Sequence, residues 1–173
     1  NKFDKIFCVC NFVKGNFLRD FPSLLDKTEV YYNHIDVQEI VQKAQEELDI
    51  KYNNDQVNVI TVGRISKEKG QDLIPGVTKT LIEKGYNIHW YIVGDGPDRQ
   101  RIENLIKENG VDKNVTILGM KNNPYPYVKN CDIYVQPSYA EGYCTAIFEA
   151  LILGKVVVAT NNEGVLETIK DGE

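Results

Sequence analysis

One stretch constrains the fold more than any other: residues 130–160, N-C-D-I-Y-V-Q-P-S-Y-A-E-G-Y-C-T-A-I-F-E-A-L-I-L-G-K-V-V-V-A-T. It reads as strand, loop, helix, strand. Residues 132–135 are short, apolar and β-rich, and Pro137 and Ser138 end them. Glu141 and Gly142 form a turn, and a helix is expected from about 143 to 153. Gly154 stops it, as glycine does just past a helix end. Residues 156–159, V-V-V-A, then form a continuous apolar run, the mark of a strand buried on both faces of a parallel sheet. The helix is apolar nearly all round, from Ala146 to Leu153, so it is expected to be largely buried. Glu149 sits in its middle, and a carboxylate there needs a partner, because an unpaired buried charge is expensive. The residues alone leave two readings open: a salt bridge or a water-facing helix side, and a functional carboxylate.

The rest of the chain repeats the rhythm. Residues 57–62, 87–93 and 115–118 read as strands, and 71–84, 97–109, 125–129 and 164–170 as helices. Pro75 falls early enough in its helix to be tolerated, Gly85 and Gly110 end two helices, and Ile102, Leu105 and Ile106 share one face of another. Strands alternating with helices predict an α/β fold, a Rossmann-like parallel sheet with helices on both faces. Ligands in such sheets bind beyond the carboxyl ends of the strands. Residues 1–54 read differently: strands at 5–10 and 28–32, a helix over 37–48 with Asp36 as N-cap, then a polar break at Asn53-Asn54-Asp55. They do not look like a complete domain.

Composition removes several classes. The net charge is −5 and no long basic run appears, which argues against nucleic acid as a partner. The apolar stretches are too short to span a bilayer, which takes about 20 residues, and a cytoplasmic protein is expected. Cys8, Cys10, Cys131 and Cys144 match no zinc spacing and no disulfide framework, so they read as reduced, packed thiols. No His/Cys/carboxylate cluster suggests a metal, and His89, between Ile88 and Trp90, reads as packed strand.

Two loops carry charge or glycine in patterns that suit phosphate. Gly63-Arg64 ends one strand and Glu68-Lys69-Gly70 opens the next helix. Two cations at a helix start can hold an anion, although such a loop by itself also reads as merely solvated. Gly94-Asp95-Gly96-Pro97 follows the next strand, but position 99 is Arg where a dinucleotide fingerprint needs a third Gly, so no NAD or FAD site is read here. Cys144 opens a helix, where a thiol pKa can fall, yet no His follows at a useful place.

Together these patterns resemble a known family. Glu141 and Glu149 frame E-x7-E, followed by Ala150, Gly154 and an apolar strand; residues 63–70 follow G-R-x4-K-G; G-D-G-P stands at 94–97. This is similar to the nucleotide-sugar site of retaining glycosyltransferases of the GT-B fold, family four (glycosyl transferases group 1), which includes sucrose synthases and many bacterial mannosyl- and glucosyltransferases. The resemblance covers about residues 57–173 well and 1–56 loosely. It implies that residues 1–54 are an interdomain segment with the end of an N-terminal domain, and that 55–173 are the nucleotide-sugar-binding domain, cut at both ends.

The resemblance also implies roles. Arg64 and Lys69 would neutralise the donor diphosphate and stabilise it as it leaves, Glu149 would accept from the ribose hydroxyls, and Glu141 would lie by the transferred sugar. Backbone N–H groups of Tyr143, Cys144 and Thr145, after Gly142, would face the diphosphate, Gly63 would belong to the diphosphate loop, and Gly94 and Met120 would lie at the base end. The donor would be a UDP-, GDP- or ADP-sugar, without a metal or other cofactor. The acceptor, a glycan or lipid-linked molecule, would be held by the N-terminal domain, with peripheral membrane contact of the full-length protein. Three departures stand out: His34 for the usual Gly, Tyr143 for Phe, and Cys144 for a Gly, which adds a side chain beside the donor. A stand-alone nucleotide-binding or regulatory module is the other reading, and a sugar-nucleotide epimerase would want acid/base residues that do not appear.

Overall fold

The structure, a computed structural model, describes residues 3–169. Strands β1 (Ile6–Cys8) and β2 (Thr28–Val30) form a small parallel pair, joined through helix α1 (Asn11–Asp20). Helix α2 (Val37–Lys43) leads from it towards the larger unit. That unit is a five-stranded parallel sheet of β3 (Val57–Val62), β4 (Ile88–Val93), β5 (Val115–Gly119), β6 (Ile133–Gln136) and β7 (Val156–Ala159), in the order β5-β4-β3-β6-β7. The connections carry α3 (Leu73–Glu83), α4 (Arg99–Glu108), α5 (Tyr125–Asn130) and α6 (Thr145–Ile152), and α7 (Glu163–Leu166) follows β7. The expected α/β parallel sheet is present.

Alternation along each strand splits the apolar side chains into two cores. On one side Ile60, Tyr91, Val93 and Tyr134 meet Tyr127 and Val128 of α5, Ile147 and Ala150 of α6, and Val165 of α7. On the other, Val59, Trp90 and Ile92 meet Ile74 of α3 and Ile102 and Ile106 of α4. The sheet is therefore covered by helices on both faces. Of the polar side chains inside the sheet, Trp90 Nε1 donates to Thr61 Oγ1 at 3.1 Å and that hydroxyl donates to the Val135 carbonyl at 2.7 Å, whereas the buried Asn58 Oδ1 has no partner among the described residues.

Five sequence expectations need correction. Among the described residues strand β7 is not buried on both faces: it stands last in the strand order, with Val156 64% and Val158 52% exposed. Only Val157 and Ala159 pack against the core beneath α6, whereas Val158 borders an apolar groove of about 550 Å³ shared with Leu73 and Val77 of α3. Helix α6 is less enclosed than its composition implies, because Ile147 and Ala150 are buried while Leu151 is exposed. Helix α2 ends at Lys43 rather than at 48, since Leu48, Ile50 and Tyr52 turn in against the core, where the Tyr52 hydroxyl donates to the Tyr127 carbonyl at 2.9 Å. The first strand stops at Cys8 because Cys10 is the N-cap of α1, its sulfur accepting from the Val13 N–H. Helix α7, expected over 164–170, runs from Glu163, capped by Asn162, only to Leu166; Lys170 lies outside the described residues. All four cysteines are buried free thiols, and among the described residues no helix is long and apolar enough to cross a membrane.

Candidate functional site at the carboxyl edge of the sheet

Parallel strands place all their carboxyl ends on one edge. Gly63 follows β3, Gly94 follows β4, and Gly119 closes β5; their backbones interlock, with the Gly63 N–H donating to the Val93 carbonyl at 3.0 Å and the Gly94 N–H to the Gly119 carbonyl at 2.8 Å. The chains meet so closely that a Cβ on Gly94 would lie 1.9 Å from the Gly63 oxygen. Only glycine permits that approach, at a φ of 149°. The loop after β3 is then tied down by the loop after β6: the Glu68 carbonyl accepts from the N–H groups of Tyr139 and Ala140. Gly70, at φ 67°, passes so near that a Cβ would sit 2.0 Å from the Pro137 oxygen.

These clamps bring together two residues far apart in sequence. Lys69 Nζ donates to both oxygens of Glu141 at 2.9 Å. The Lys69 side chain is 26% exposed and that of Glu141 6%. Glu141 Oε1 also accepts from Ser138 Oγ at 2.6 Å and Gln136 Nε2 at 3.1 Å. An ammonium has three protons, so Lys69 keeps one for a ligand. Arg64 makes a different contact: its guanidinium bonds Glu68 at 3.0 Å and is well exposed. The Ser66 hydroxyl first, then Arg64, hold the Glu68 carboxyl down to about 2. Solvent screens an exposed pair of this kind, so Arg64 can leave Glu68 for a phosphate at little cost.

Glu149 lies on α6 and is partly buried, and burial raises its pKa. Its partner is the Tyr125 hydroxyl at 3.3 Å, not the salt bridge that its position on an apolar helix suggested. A half-buried carboxylate with one neutral partner retains open acceptor sites. At the start of α6, the Thr145 N–H is taken by the Tyr143 carbonyl at 3.1 Å, while those of Tyr143 and Cys144 donate to no protein acceptor among the described residues. Burial pushes the Cys144 thiol up to about 12, which removes the thiolate a nucleophile would need. Met120, just past β5, is 79% exposed at the far end of the same edge. Among the described residues no group of three or more His, Cys, Asp or Glu side chains is placed to hold a metal ion.

Sequence reasoning missed several residues that the fold brings here. Gln136 and Ser138 are fully buried polar groups at the carboxyl end of β6, and their polarity at the end of an apolar strand was the available signal. The small N-terminal unit also reaches the site: Cys10 Sγ donates to the Gly142 carbonyl at 2.9 Å, and the Tyr32 ring packs on Tyr143 at 5.6 Å. Glu167, after α7, accepts from the backbone N–H groups of Asn11 and Phe12 at 2.7 and 2.8 Å and from the Tyr32 hydroxyl at 3.1 Å. Nothing local in the sequence announces those contacts.

Comparison with known proteins places the chain. Residues 43–173 match the sequence model of the glycosyl transferases group 1, and the chain belongs to that family. It is 32% identical over 144 residues to an uncharacterized glycosyltransferase of Methanocaldococcus jannaschii, covering 82% of this chain and 36% of that protein. It is 31% identical over 164 residues to the N-acetylgalactosamine-N,N'-diacetylbacillosaminyl-diphospho-undecaprenol 4-alpha-N-acetylgalactosaminyltransferase of Campylobacter jejuni, covering 92% of this chain and 43% of the relative. The chain thus spans about two fifths of the length of these relatives. Among solved structures it resembles Anabaena HepE in complex with UDP-glucose, with a TM-score of 0.80 at 21% identity over 99% of this chain and 49% of that one. It also resembles Staphylococcus aureus TarM in a complex that contains UDP, with a TM-score of 0.77 at 20% identity over 94% of this chain and 31% of that one. The fold is that of a GT-B glycosyltransferase half.

Proposed function

We propose that this chain is the donor-binding part of a retaining glycosyltransferase that moves a sugar from a nucleotide-sugar to a glycan or lipid-linked acceptor. Residues 1–54 are the interdomain segment with the end of an N-terminal domain, and 55–173 bind the donor. The observation that carries this is the Lys69–Glu141 pair: two motifs 72 residues apart meet at the carboxyl edge of the sheet. Arg64, next to Gly63, and the free proton of Lys69 take the diphosphate, helped by the N–H groups of Tyr143 and Cys144 that follow Gly142, while that of Thr145 stays on the Tyr143 carbonyl. Glu149 accepts from the ribose, Glu141 from the transferred sugar, and Gly94 and Met120 border the base. Negative charge grows on the nucleoside diphosphate as the glycosidic bond breaks, so fixed cations there lower the barrier.

UDP is the favoured nucleotide, because HepE and TarM are described with UDP-glucose or UDP. The Campylobacter relative's name, with its diphospho-undecaprenol-linked substrate, supports a lipid-linked acceptor reached from the cytoplasmic face of a membrane. The test is thermal unfolding with UDP, GDP and ADP. A ligand at about 100 times its Kd adds about 2.7 kcal/mol of stability, and calorimetry on Arg64→Ala should show nucleoside diphosphate binding lost far more than nucleoside binding. No stabilisation by any of the three at millimolar concentration refutes the site.

A further inference from the structure

A buried chain of hydrogen bonds runs beneath Glu141. The Tyr134 hydroxyl, with no exposed surface, donates to Gln136 Oε1 at 2.6 Å. Gln136 Nε2 donates to Ser138 Oγ at 2.8 Å and to Glu141 Oε1 at 3.1 Å. Ser138 Oγ donates onward to Glu141 Oε1 at 2.6 Å. The direction of every proton is forced from one end. An ionised carboxylate only accepts, so Ser138 must donate to it and Gln136 must present its amide NH₂. The amide oxygen then faces Tyr134, and the Tyr134 proton must point at Gln136. The Tyr134 oxygen also lies 3.4 Å from the carbonyl of Val62, the last residue before Gly63-Arg64. The chain therefore spans the two strands whose ends carry the site.

The consequence is an asymmetric carboxylate. Oε1 of Glu141 receives three donors, from Lys69, Ser138 and Gln136, whereas Oε2 receives Lys69 alone. A carboxylate has about four lone-pair directions in all, so Oε1 is filled and Oε2 keeps an open one. We propose that Gln136, oriented by Tyr134, is a positioning residue that locks Glu141 so that Oε2 is the oxygen offered to a hydroxyl of the transferred sugar. This rests on the donor-site reading above and adds to it the residues that aim the sugar contact.

The experiment compares ligands with and without the sugar. In the full-length protein, Gln136→Leu and the near-isosteric Tyr134→Phe are titrated with UDP and UDP-glucose, GDP and GDP-mannose, and ADP and ADP-glucose, and scored on the pair that the parent binds. Gln136→Leu should weaken the nucleotide-sugar about tenfold while nucleoside diphosphate affinity stays within about twofold. Tyr134→Phe should act in the same direction by about threefold, without a matching drop in melting temperature. With an acceptor present the loss should fall on kcat as well as KM, because a wandering Glu141 misplaces the reacting sugar. Equal losses for nucleotide-sugar and nucleoside diphosphate, or no loss in either variant, overturn the positioning role while leaving the donor site intact. Failure of the parent to bind any nucleoside diphosphate overturns the donor site, and the positioning role with it.

Discussion

Lys69→Met tests the central contact of the site while keeping the aliphatic stem. Glu141 is nearly buried and would lose a bidentate ammonium, each of whose bonds is 2.9 Å. Breaking a fully buried ion pair costs about 3–5 kcal/mol. Here Lys69 is a quarter exposed, and Ser138 and Gln136 continue to donate to the carboxylate. The loss is then closer to that of hydrogen bonds to a charged group, about 1.5–3 kcal/mol. For a chain of this size about 2 kcal/mol lowers the melting temperature by about 4–8 °C. Glu141→Gln alone should cost less, since the Lys69 ammonium it frees can turn to water. The double variant should recover at least about 1 kcal/mol of the sum of the singles, which is the coupling a cycle isolates. Urea unfolding of the four proteins measures this. Lys69→Met within about 0.5 kcal/mol of the parent, with additive singles, would show that Glu141 does not depend on Lys69.

Three more expectations follow from particular contacts. Gly70→Ala puts a Cβ into the Pro137 oxygen at a left-handed φ, so it should cost about 3 kcal/mol or more and weaken nucleoside diphosphate binding, both visible in one ligand-dependent melting series. Glu167 is desolvated, which opposes ionisation, but the Phe12 and Asn11 backbone donors hold its carboxyl down to about 2 from 4.5. Its folded-state pKa is depressed, so the stability it contributes is present above about pH 4.5 and fades as pH falls towards 2; Glu167→Gln should flatten that acid limb in pH-dependent unfolding, and an unchanged limb counts against the contact. Cys144, buried and pushed up to about 12, should resist iodoacetamide at pH 8 until the protein unfolds, as peptide mass mapping would reveal.

Much of this protein was legible in its linear order, for a physical reason. Strand and helix periodicity, the glycines that end helices, and the G-R-x4-K-G spacing are short-range properties, set by backbone sterics and side-chain alternation within one loop or element. That sufficed to put Arg64, Lys69 and Glu141 in loops at strand ends of a parallel sheet, and Glu149 on the helix after the last of those loops. Even one long-range feature left a local trace: Tyr134 and Gln136 stand two apart on a strand and so share a face. What only the tertiary structure decided are the matters of neighbourhood. The V-V-V-A strand looks like a central one, but among the described residues it stands last in the strand order. Glu149 found its partner in Tyr125 of α5. Lys69 turned to Glu141, 72 residues away, because the Gly70 loop and the Pro137 loop touch at a spot where no side chain would fit. Sequence spacing sets which groups a loop can offer; which group answers depends on packing between elements, where the balance of burial and hydrogen bonding is struck among residues that are distant in the chain.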